Sequence, residues 1–399
     1  MRERLGGREC LYVPSCRLGL YLALRHWCAP GGRVLMSPVN DDVIFFVVLA
    51  AGLRPVQAPL DPRDGSIDTA AVPESVWNGL SAVLTTNLYG NPDPAPELRE
   101  RCDRLGIPLI EDAAHAIGST VGGRPVGTYG EASVFSLSKH TGAKTGGFLA
   151  LADPSLRDEL AAVRDALLHP TRPGAELAHL VRPYAEATLR GLRLVGAARA
   201  AVRRLGLDER EEIRMPLRAD ALREALRAAP ALEPFHSWVR VDMHDYRLRP
   251  GSGRLRRTTR RFARLDGVLE AHRAGTLRLR ASEYGTPGDG APGDGILDDG
   301  TPGGAAQPLY RVPLLVEERD TAVAALARHR ITTGYLYDPP LDSYAGETFT
   351  ELSPAPEPAA WFARHALPVD PRRADEVLAV LRGAGVRPAR PSMVPGGAR

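Results

Sequence analysis

Two lysines stand close together in a chain that otherwise relies on arginine for its positive charge. Lys139 and Lys144 are the only lysines among 399 residues, and arginine supplies the other 49 of the 51 basic side chains. A guanidinium stays protonated, whereas a desolvated lysine amine can lose its proton and attack a carbonyl carbon. Because arginine cannot form a Schiff base, we expect one of these lysines to carry out covalent chemistry.

Acidic candidates for the same chemistry lie in "IEDAAHAIGS", residues 110–119, which contains Glu111, Asp112 and His115. A carboxylate at the end of a strand could bind a metal ion, act as a base or face a ring nitrogen. No further cluster of His or carboxylate residues lies nearby at the spacing of metal ligands, so the sequence predicts no metal site.

A lysine and a carboxylate together meet the needs of pyridoxal phosphate. This cofactor requires a lysine for its Schiff base and an acid that keeps its pyridine nitrogen protonated. Its phosphate requires N–H donors, which the N-terminus of a helix provides. In "PSCRLGLYLAL", Ser15 is a candidate N-cap. The backbone N–H groups of Cys16, Arg17 and Leu18 would then point at an anion, and the Arg17 side chain could add charge.

The first 155 residues alternate between short β-rich runs and stretches with helical spacing. Helices are predicted to begin near Arg17, Asp41 and Ala95. Strands are predicted at Arg33–Ser37, Ala82–Leu88, Pro108–Ala113, Ser133–Ser138 and Phe148–Leu151. This alternation predicts an α/β fold with a mostly parallel sheet flanked by helices. Ligands collect at the carboxyl ends of such strands, so Asp112 and Lys139 are expected to share one pocket.

The length of the chain favours two main domains. The "PGDG"-rich segment has too low a complexity to bury a core. The basic stretch "RLRRTTRRFARLD" is interpreted as an exposed helix with Leu255, Phe262 and Leu265 turned inward, in preference to an RNA-binding element. The predicted organisation is a large domain over 1–235, a connecting helical segment over 236–284, a flexible Gly/Pro-rich loop over 285–308 and a small α+β domain over 309–399.

Composition narrows the class of protein further. The formal net charge of +3 is too balanced to indicate a nucleic-acid partner. The four cysteines lack metal-type spacing and indicate a reducing compartment. The start of the chain lacks the apolar core of a signal peptide, and "VIFFVVLAAG" is too short to cross a bilayer. We therefore expect a cytoplasmic protein with no membrane partner.

The block from Thr85 to Leu151 resembles the DegT/StrS family of aminotransferases. The resemblance rests on "NLYG", on "EDAAH", on "FSLSKH" and on the Gly-Gly pair that follows. "HDYRLR", "RITTGYLYDPPL" and "ARHALPVDP" extend it towards the end of the chain. Members of this family are fold-type-I enzymes that use pyridoxal phosphate and are best known for aminating nucleotide-linked keto sugars. The resemblance implies a mostly parallel central sheet and a smaller C-terminal α+β domain.

Carried over position by position, the resemblance implies specific roles. Lys139 would form the Schiff base and move the proton between substrate and cofactor. Asp112 would pair with the pyridine nitrogen, His115 would lie by the phenolic oxygen, and Ser136 would bind the phosphate together with the backbone after Ser15. Lys139 stands at the family's distance from the Gly-Gly pair, so Lys144 becomes a loop residue near the pocket mouth.

The resemblance also suggests residues further from the chemistry. Asp42 and Tyr337 are candidate substrate contacts. Asp245 and Arg247 lie in "HDYRLR", which corresponds to the family segment that contacts the partner subunit. A homodimer is implied by the same analogy.

Four features depart from the family pattern. The segment before the lysine is two residues shorter, so the role of Ser136 could pass to Ser138. The phosphate helix begins with "SCR" instead of "SGT". The region where the family stacks an aromatic ring on the cofactor contains Asn40, Asp41 and Asp42, and the family's partner-subunit asparagine is Asp245.

The leading hypothesis is a pyridoxal-phosphate-dependent aminotransferase that moves an amino group from an amino acid, glutamate by analogy, to a keto or aldehyde substrate through Lys139. That substrate is a nucleotide-linked sugar or another small molecule of secondary metabolism, and the acidic pair before "VIFF" leaves open a hydroxyl-rich or cationic ring such as an aminocyclitol. The alternatives are another reaction of the same cofactor, such as elimination or carbon–nitrogen chemistry, and a non-catalytic homologue.

Overall fold

The structure is a computed structural model that describes residues 1–143, 145–171, 174, 214–240, 245–285 and 307–391. Lys144 and nearly all of the predicted loop over 285–308 lie outside the described residues. Residues 175–213 of the predicted large domain also lie outside them.

A seven-stranded sheet forms the centre of the described structure, with the strand order β1-β9-β8-β5-β4-β2-β3. Only β9 is antiparallel to its neighbours, so the other six strands point the same way. This confirms the predicted mostly parallel sheet, although β2, β4, β5 and β8 are shorter than predicted, β9 begins one residue earlier, and β1 and β3 were not among the predicted strands. The strands of this sheet are β1 Glu9–Val13, β2 Arg33–Met36, β3 Arg54–Gln57, β4 Ala82–Thr85, β5 Leu109–Asp112, β8 Ala132–Ser136 and β9 Gly147–Leu151, and a small hairpin adds β6 Thr120–Val121 and β7 Arg124–Pro125.

Helices cover the sheet and build the rest of the described chain. They are α1 Cys16–Trp27, α2 Asp42–Ala50, α3 Glu74–Trp77, α4 Ala95–Leu105, α5 Arg157–Leu167, α6 Ala219–Arg227, α7 His236–Val239, α8 Ser252–Phe262, α9 Leu265–Arg280, α10 Arg319–Arg328, α11 Leu341–Ala345, α12 Glu357–His365 and α13 Ala374–Gly383. Within the described ranges, no helix combines the length and the hydrophobicity that crossing a bilayer requires.

Alternate residues of β2 show how the sheet separates two hydrophobic cores. Val34 and Met36 pack on the face that α1 and α2 cover. Leu35 points to the opposite face, where it packs in the cluster of Trp77 and Leu98 from α3 and α4. Because successive side chains of a strand point to opposite faces, the nearly continuous apolar run of β2 fits a strand buried on both sides.

The very apolar α2 is a buried helix, as its sequence predicted. Phe45 and Phe46 are fully buried. The Phe46 ring stacks on Trp238 of α7, with 5.4 Å between ring centroids. Residues distant in sequence thus hold α2 against the sheet.

The basic helix α8 differs in part from its prediction. Leu265, just after it, is fully buried, and Phe262 packs edge-on against Phe148. Leu255, however, is 39% exposed, so its predicted inward orientation is wrong. Arg254 and Thr258 occupy the buried face instead, and Leu255 is turned about 100° away from Arg254 because a helix has 3.6 residues per turn.

A smaller α+β unit follows the described helices α8 and α9. Its strands β10 Val312–Leu315 and β11 Ala366–Val369 pair in antiparallel fashion. Residues of α10 and α13 pack on this pair in a core that also takes Leu279 and Tyr284 from the end of α9 and the turn after it. The domain boundaries given above remain predictions.

Glu111, the neighbour of Asp112, fixes the backbone of the turn that precedes β8. Its carboxylate is fully buried. It accepts backbone N–H groups from Gly127, Tyr129 and Gly130, each at 2.7 Å. This acid of the "IEDAAH" motif therefore organises the turn before β8, the strand that leads to Lys139.

Replacing Glu111 with alanine is expected to lower the free energy of unfolding by about 3 kcal/mol or more. The substitution leaves three buried N–H groups without an acceptor, and each unsatisfied group costs about 1 kcal/mol or more. Urea unfolding monitored by circular dichroism measures the change. The matched control is Glu100→Ala on α4, whose side chain is largely exposed and pairs only with Arg104. Equal losses in the two variants would contradict the structural role of Glu111.

Candidate active site

A cavity of about 350 Å³ opens at the carboxyl ends of the parallel strands. The residues that line it follow successive strands and include Cys16 after β1, Asp41 after β2, Thr86 after β4, Asp112 at the end of β5 and Lys139 after β8. The structure thus brings Asp112 and Lys139 to one cavity, at the edge where ligands collect in α/β sheets.

Asp112 is a buried acid whose charge is poorly compensated. Its carboxylate accepts the Ala114 amide at 3.0 Å, and its carbonyl oxygen accepts a hydrogen bond from Asn87 Nδ2 at 3.0 Å. Burial raises the pKa of Asp112 to about 7, although the hydrogen bond from the Ala114 amide and the charge of Lys139 oppose the shift. A protonated ring nitrogen placed beside this carboxylate would stabilise its charged form.

His115 lines the cavity as a neutral imidazole. Burial, followed by the nearby charge of Lys139, holds its pKa well below the usual value. The ring stacks between Tyr89 at 6.3 Å and Tyr310 at 5.2 Å. His115 can therefore hydrogen-bond to a ligand without adding a positive charge.

The N-terminus of α1 forms one wall of the cavity. Ser15 is its N-cap: the Ser15 hydroxyl accepts the Leu18 amide at 3.2 Å and donates to the Tyr246 carbonyl at 3.1 Å. Cys16 and Arg17 of the first turn line the cavity. Because the N-terminus of a helix carries partial positive charge, this wall attracts an anion.

The structure does not bring Leu18 to the cavity. Its side chain is fully buried, and its amide donates to the N-cap. The Arg17 guanidinium donates through Nη1 to the Val239 carbonyl at 2.5 Å. Fewer residues of this turn therefore line the cavity than the sequence predicted.

Two glycines allow the start of α1 to approach β9. The Gly146 amide donates to the Pro14 carbonyl at 2.8 Å. A Cβ on Gly147 would lie 2.4 Å from the Phe135 carbonyl oxygen and 3.5 Å from the Cys16 nitrogen. A side chain at Gly147 would therefore clash with the backbone of β8, and one at Gly146, whose φ is +97°, would clash with the Tyr12 hydroxyl.

Three hydroxyl groups face the cavity near this wall. Ser136 and Ser138 share a hydrogen bond of 2.8 Å between their oxygens. Thr145 Oγ1 is buried and has no hydrogen-bond partner among the described residues. Buried polar groups are normally paired, so this hydroxyl is suited to an anionic ligand bound beside the helix.

Lys139 lies in a tight loop between β8 and β9. The Leu137 amide donates to the Gly146 carbonyl at 3.0 Å, and the Ala143 amide donates back to Leu137 at 3.1 Å. The amine Nζ lies 5.5 Å from the centroid of the Tyr310 ring and 5.8 Å from that of Tyr335.

The two acids at the start of α2 have different surroundings. Asp41 caps the helix by accepting the Val43 amide at 3.0 Å, and it lines the cavity. Asp42 is fully buried and accepts the Met215 amide at 2.8 Å. The structure therefore does not bring Asp42, the predicted substrate contact, to the cavity, and its neighbour Asp41 lies there instead.

Tyr337 lines the cavity as the sequence suggested, and Arg214 holds it there. The Arg214 guanidinium donates to the carbonyl groups of Asn40 at 2.7 Å, Tyr337 at 3.2 Å and Pro339 at 2.9 Å. The Tyr337 ring stacks on Tyr89 at 5.6 Å. Arg214 thus joins the wall after β2 to the segment that bears Tyr337.

Asp245 lines the cavity of its own chain. Its carboxylate is 2.7 Å from His169 Nδ1 and also accepts the Arg247 amide. Burial alone would raise the pKa of Asp245, but these hydrogen bonds lower it overall. Arg247 is buried, pairs with Glu233 at 2.8 Å and does not line the cavity. Contact of either residue with a partner subunit stays a prediction.

Sequence reasoning missed three side chains. The rings of Tyr310 and Tyr335 lie near the Lys139 amine, and Arg214 holds the segment that bears Tyr337. All three lie far from Lys139 in the sequence; Tyr310 and Arg214 belong to no motif that we recognised, and Tyr335 lies in the recognised segment "RITTGYLYDPPL" but was given no role. Arg214 is one of 49 arginines, so its type carried no signal. The two tyrosines offered a weak signal, because aromatic residues make up only 6% of the chain.

The residues present fit pyridoxal phosphate. A buried acid, an amine and a helix N-terminus with an unpaired hydroxyl beside it face the same cavity: Asp112, Lys139, Cys16 and Thr145. Within the described ranges, no group of three His, Cys, Asp or Glu side chains is arranged to hold a metal ion. The donor set therefore suits an organic anion with a basic ring nitrogen.

The sequence model of the DegT/DnrJ/EryC1/StrS aminotransferase family matches residues 1–179. The UDP-N-acetyl-3-dehydro-alpha-D-glucosamine 3-aminotransferase of Acidithiobacillus ferrooxidans is 31% identical over 150 residues, which are 37% of this chain and 41% of that protein. The L-glutamine:2-deoxy-scyllo-inosose aminotransferase of Streptoalloteichus tenebrarius is 39% identical over 143 residues, 36% of this chain and 34% of that protein. The chain thus spans less than half the length of these relatives.

The fold is shared over a longer range. The GDP-4-keto-6-deoxy-D-mannose-3-dehydratase of E. coli, solved with hydrated pyridoxal phosphate, superposes with a TM-score of 0.64. The superposition covers 96% of this chain and 89% of that protein at 15% identity. At this identity the similarity establishes the fold alone.

Asp112 is expected to make the cofactor-free protein less stable as the pH rises. Its folded pKa of about 7 lies above the unfolded value of about 3.9, so its contribution to stability is complete below about pH 4 and is lost as the pH rises through 7. Between about pH 5 and pH 8, the parent should lose about 2 to 3 kcal/mol of unfolding free energy relative to Asp112→Asn. Urea unfolding at both pH values measures this difference.

The control for this titration is Asp158→Asn, because the Asp158 side chain is 89% exposed. Its stability relative to the parent should not change between the two pH values. A parent and an Asp112→Asn variant that respond equally to pH would show that Asp112 is not held in its neutral form.

Proposed function

We propose, because the model of the DegT/DnrJ/EryC1/StrS aminotransferase family matches residues 1–179, that this protein is an aminotransferase dependent on pyridoxal phosphate. The observation that carries the proposal is the placement of Asp112 and Lys139 on one cavity beside the N-terminus of α1. Each group has a position that matches a different part of the cofactor.

When bound, the cofactor supplies an electron-accepting ring that stabilises negative charge on a substrate carbon. Asp112 holds the ring nitrogen protonated, and His115 hydrogen-bonds to the ring without adding charge. The first turn of α1, with Ser136, Ser138 and Thr145, binds the phosphate. Together these groups orient the ring before any substrate enters.

Lys139 Nζ attaches the cofactor and moves the proton of the reaction. The backbone of its loop is held by the hydrogen bond from Leu137 to Gly146, so the side chain would reach the cofactor from a fixed base. Asp41 stands on the same cavity as an acceptor for a hydroxyl or an ammonium group of the substrate.

We assign an amino acid as the amine donor, with glutamate expected from the family, and a keto or aldehyde compound as the acceptor. The two relatives described above are named for a nucleotide-linked sugar and for a deoxyinosose, both of which are rings with several hydroxyl groups. The acidic wall at Asp41 and the aromatic ring of Tyr337 suit such a hydroxyl-rich ring, because aromatic faces pack on its apolar edges and carboxylates accept its hydroxyls. A homodimer is proposed by analogy with the family.

Replacing Lys139 with alanine is expected to abolish covalent attachment of the cofactor. After incubation with pyridoxal phosphate and reduction with borohydride, mass spectrometry should find the added mass on a peptide containing Lys139. Lys144→Ala is the matched control, since it removes the only other lysine of the chain. Labelling that survives in Lys139→Ala and vanishes in Lys144→Ala would reverse the assignment.

A second measurement separates transamination from other reactions of the cofactor. The loaded protein, mixed with glutamate in the absence of a keto acceptor, should release one equivalent of 2-oxoglutarate per site. A dehydratase or lyase without an amine-transfer step would leave glutamate unchanged, and a protein that fails to retain the cofactor would favour the non-catalytic alternative.

A further inference from the structure

The amine of Lys139 lies within about 6 Å of the centroids of two tyrosine rings that come from outside its own loop. Nζ is 5.5 Å from the Tyr310 centroid and 5.8 Å from the Tyr335 centroid. Both distances fall within the range of about 6 Å at which an ammonium group is attracted to an aromatic face. The lysine thus has two aromatic neighbours that no motif of its loop encodes.

We propose that Tyr310 and Tyr335 form an aromatic clamp that holds the Lys139 amine in the cavity and stabilises its positive charge. The inference rests on the proposed role of Lys139 as the group that moves the proton. When Nζ takes that proton, the C–H bond of the substrate breaks, an N–H bond forms and the electron pair stays with the carbon. The new charge then appears on the nitrogen beside the two rings.

Tyr310 is the fixed side of the aromatic clamp. Its ring stacks on His115 at 5.2 Å, and the Arg311 guanidinium lies 4.3 Å from its centroid. The backbone just before it is held by two histidines. His140 Nε2 donates to the Pro308 carbonyl at 3.0 Å, and His272 Nδ1 donates to the Leu309 carbonyl at 2.7 Å.

His140 is a positioning residue for this arrangement, because it directly follows Lys139 in the chain. Its ring is buried and packs edge-on against Tyr310 at 5.6 Å. The hydrogen bond to Pro308 therefore ties the loop that bears the lysine to the segment that bears the ring. The hydrogen bond from His140 to Pro308 thus helps to set the distance between Lys139 Nζ and the Tyr310 ring.

Tyr335 is the open side of the aromatic clamp. The residue is 56% exposed and lines the cavity. Its backbone is held in place because the Tyr89 hydroxyl donates to the Tyr335 carbonyl at 2.7 Å. A substrate that enters the cavity passes this ring, and its packing against Tyr335 would seal the amine from water and strengthen the attraction between the rings and the charge.

The experiment uses the cofactor-free protein, so that it does not depend on the proposed reaction. Reductive methylation with ¹³C-formaldehyde labels only Lys139, Lys144 and the N-terminal amine, because the chain has two lysines. The variant Lys144→Arg assigns the signals. Ring currents from the aromatic clamp are expected to move the methyl protons of Lys139 upfield of those of Lys144.

Tyr310→Leu and Tyr335→Leu should each shift the Lys139 signal back downfield. Tyr310→Phe and Tyr335→Phe are the matched controls, since they keep the ring and remove only the hydroxyl, and they should leave the signal in place. His140→Leu should move the signal as Tyr310→Leu does, and His140→Gln should restore it, because its amide can donate to the Pro308 carbonyl. An unchanged signal in both leucine variants overturns the aromatic clamp.

Tyr335 keeps the test decisive even if Tyr310→Leu does not fold, because an exposed side chain can be replaced without loss of the core. In the loaded protein, Tyr335→Leu should lower kcat for the glutamate reaction about two- to fivefold, with a smaller change in KM, and Tyr335→Phe should retain kcat. If the NMR signals shift as expected but no cofactor attaches to Lys139, the proposed function is refuted and the aromatic clamp is not. Cofactor attachment with an unchanged NMR signal refutes the aromatic clamp alone.

Discussion

The site depends on the reversed direction of β9. Because β9 runs against its neighbours β1 and β8, it begins at the sheet edge where those strands end. The turn from β8 into β9 is therefore forced to stay at that edge, and Lys139 lies in this turn. The same reversal brings Gly146 and Gly147 against the start of α1, so the N-terminus of that helix and the Lys139 amine lie on one cavity because of the topology of one strand.

The charges at this edge are arranged for a ligand more than for the stability of the empty protein. Burial shifts Asp112 towards its neutral form and keeps His115 uncharged, and Thr145 has a buried hydroxyl without a described partner. By contrast, Glu111 is equally buried but has three backbone donors. Two adjacent acids in one motif thus differ in purpose: one organises the backbone, and the other lacks the partners that a purely structural acid would have.

Much of the fold and part of the site could be predicted from the sequence, and the limits have physical causes. Asp112 and Lys139 were placed correctly on one cavity because strand ends in a parallel sheet meet at one edge. The Leu18 amide donates to its N-cap and the Asp42 carboxylate accepts the Met215 amide, so neither lines the cavity, and the distinction of one residue within a first helical turn is one that spacing does not resolve. Tyr310, Tyr335 and Arg214 could not be predicted, since tertiary packing alone brings them to the lysine or to the cavity wall.

Tyr310 and Tyr335 bring the smaller α+β unit close to the Lys139 amine. Tyr310 stands two residues before β10, and Arg311 donates its amide to the Tyr89 carbonyl at 3.1 Å. Tyr89 in turn hydrogen-bonds to Tyr335 and stacks on His115 and Tyr337. A displacement of the smaller unit would therefore change both rings around Lys139 together with the wall that faces the substrate. The surroundings of the amine are thus linked to the smaller unit through packed aromatic rings, and close-packed side chains resist partial displacement.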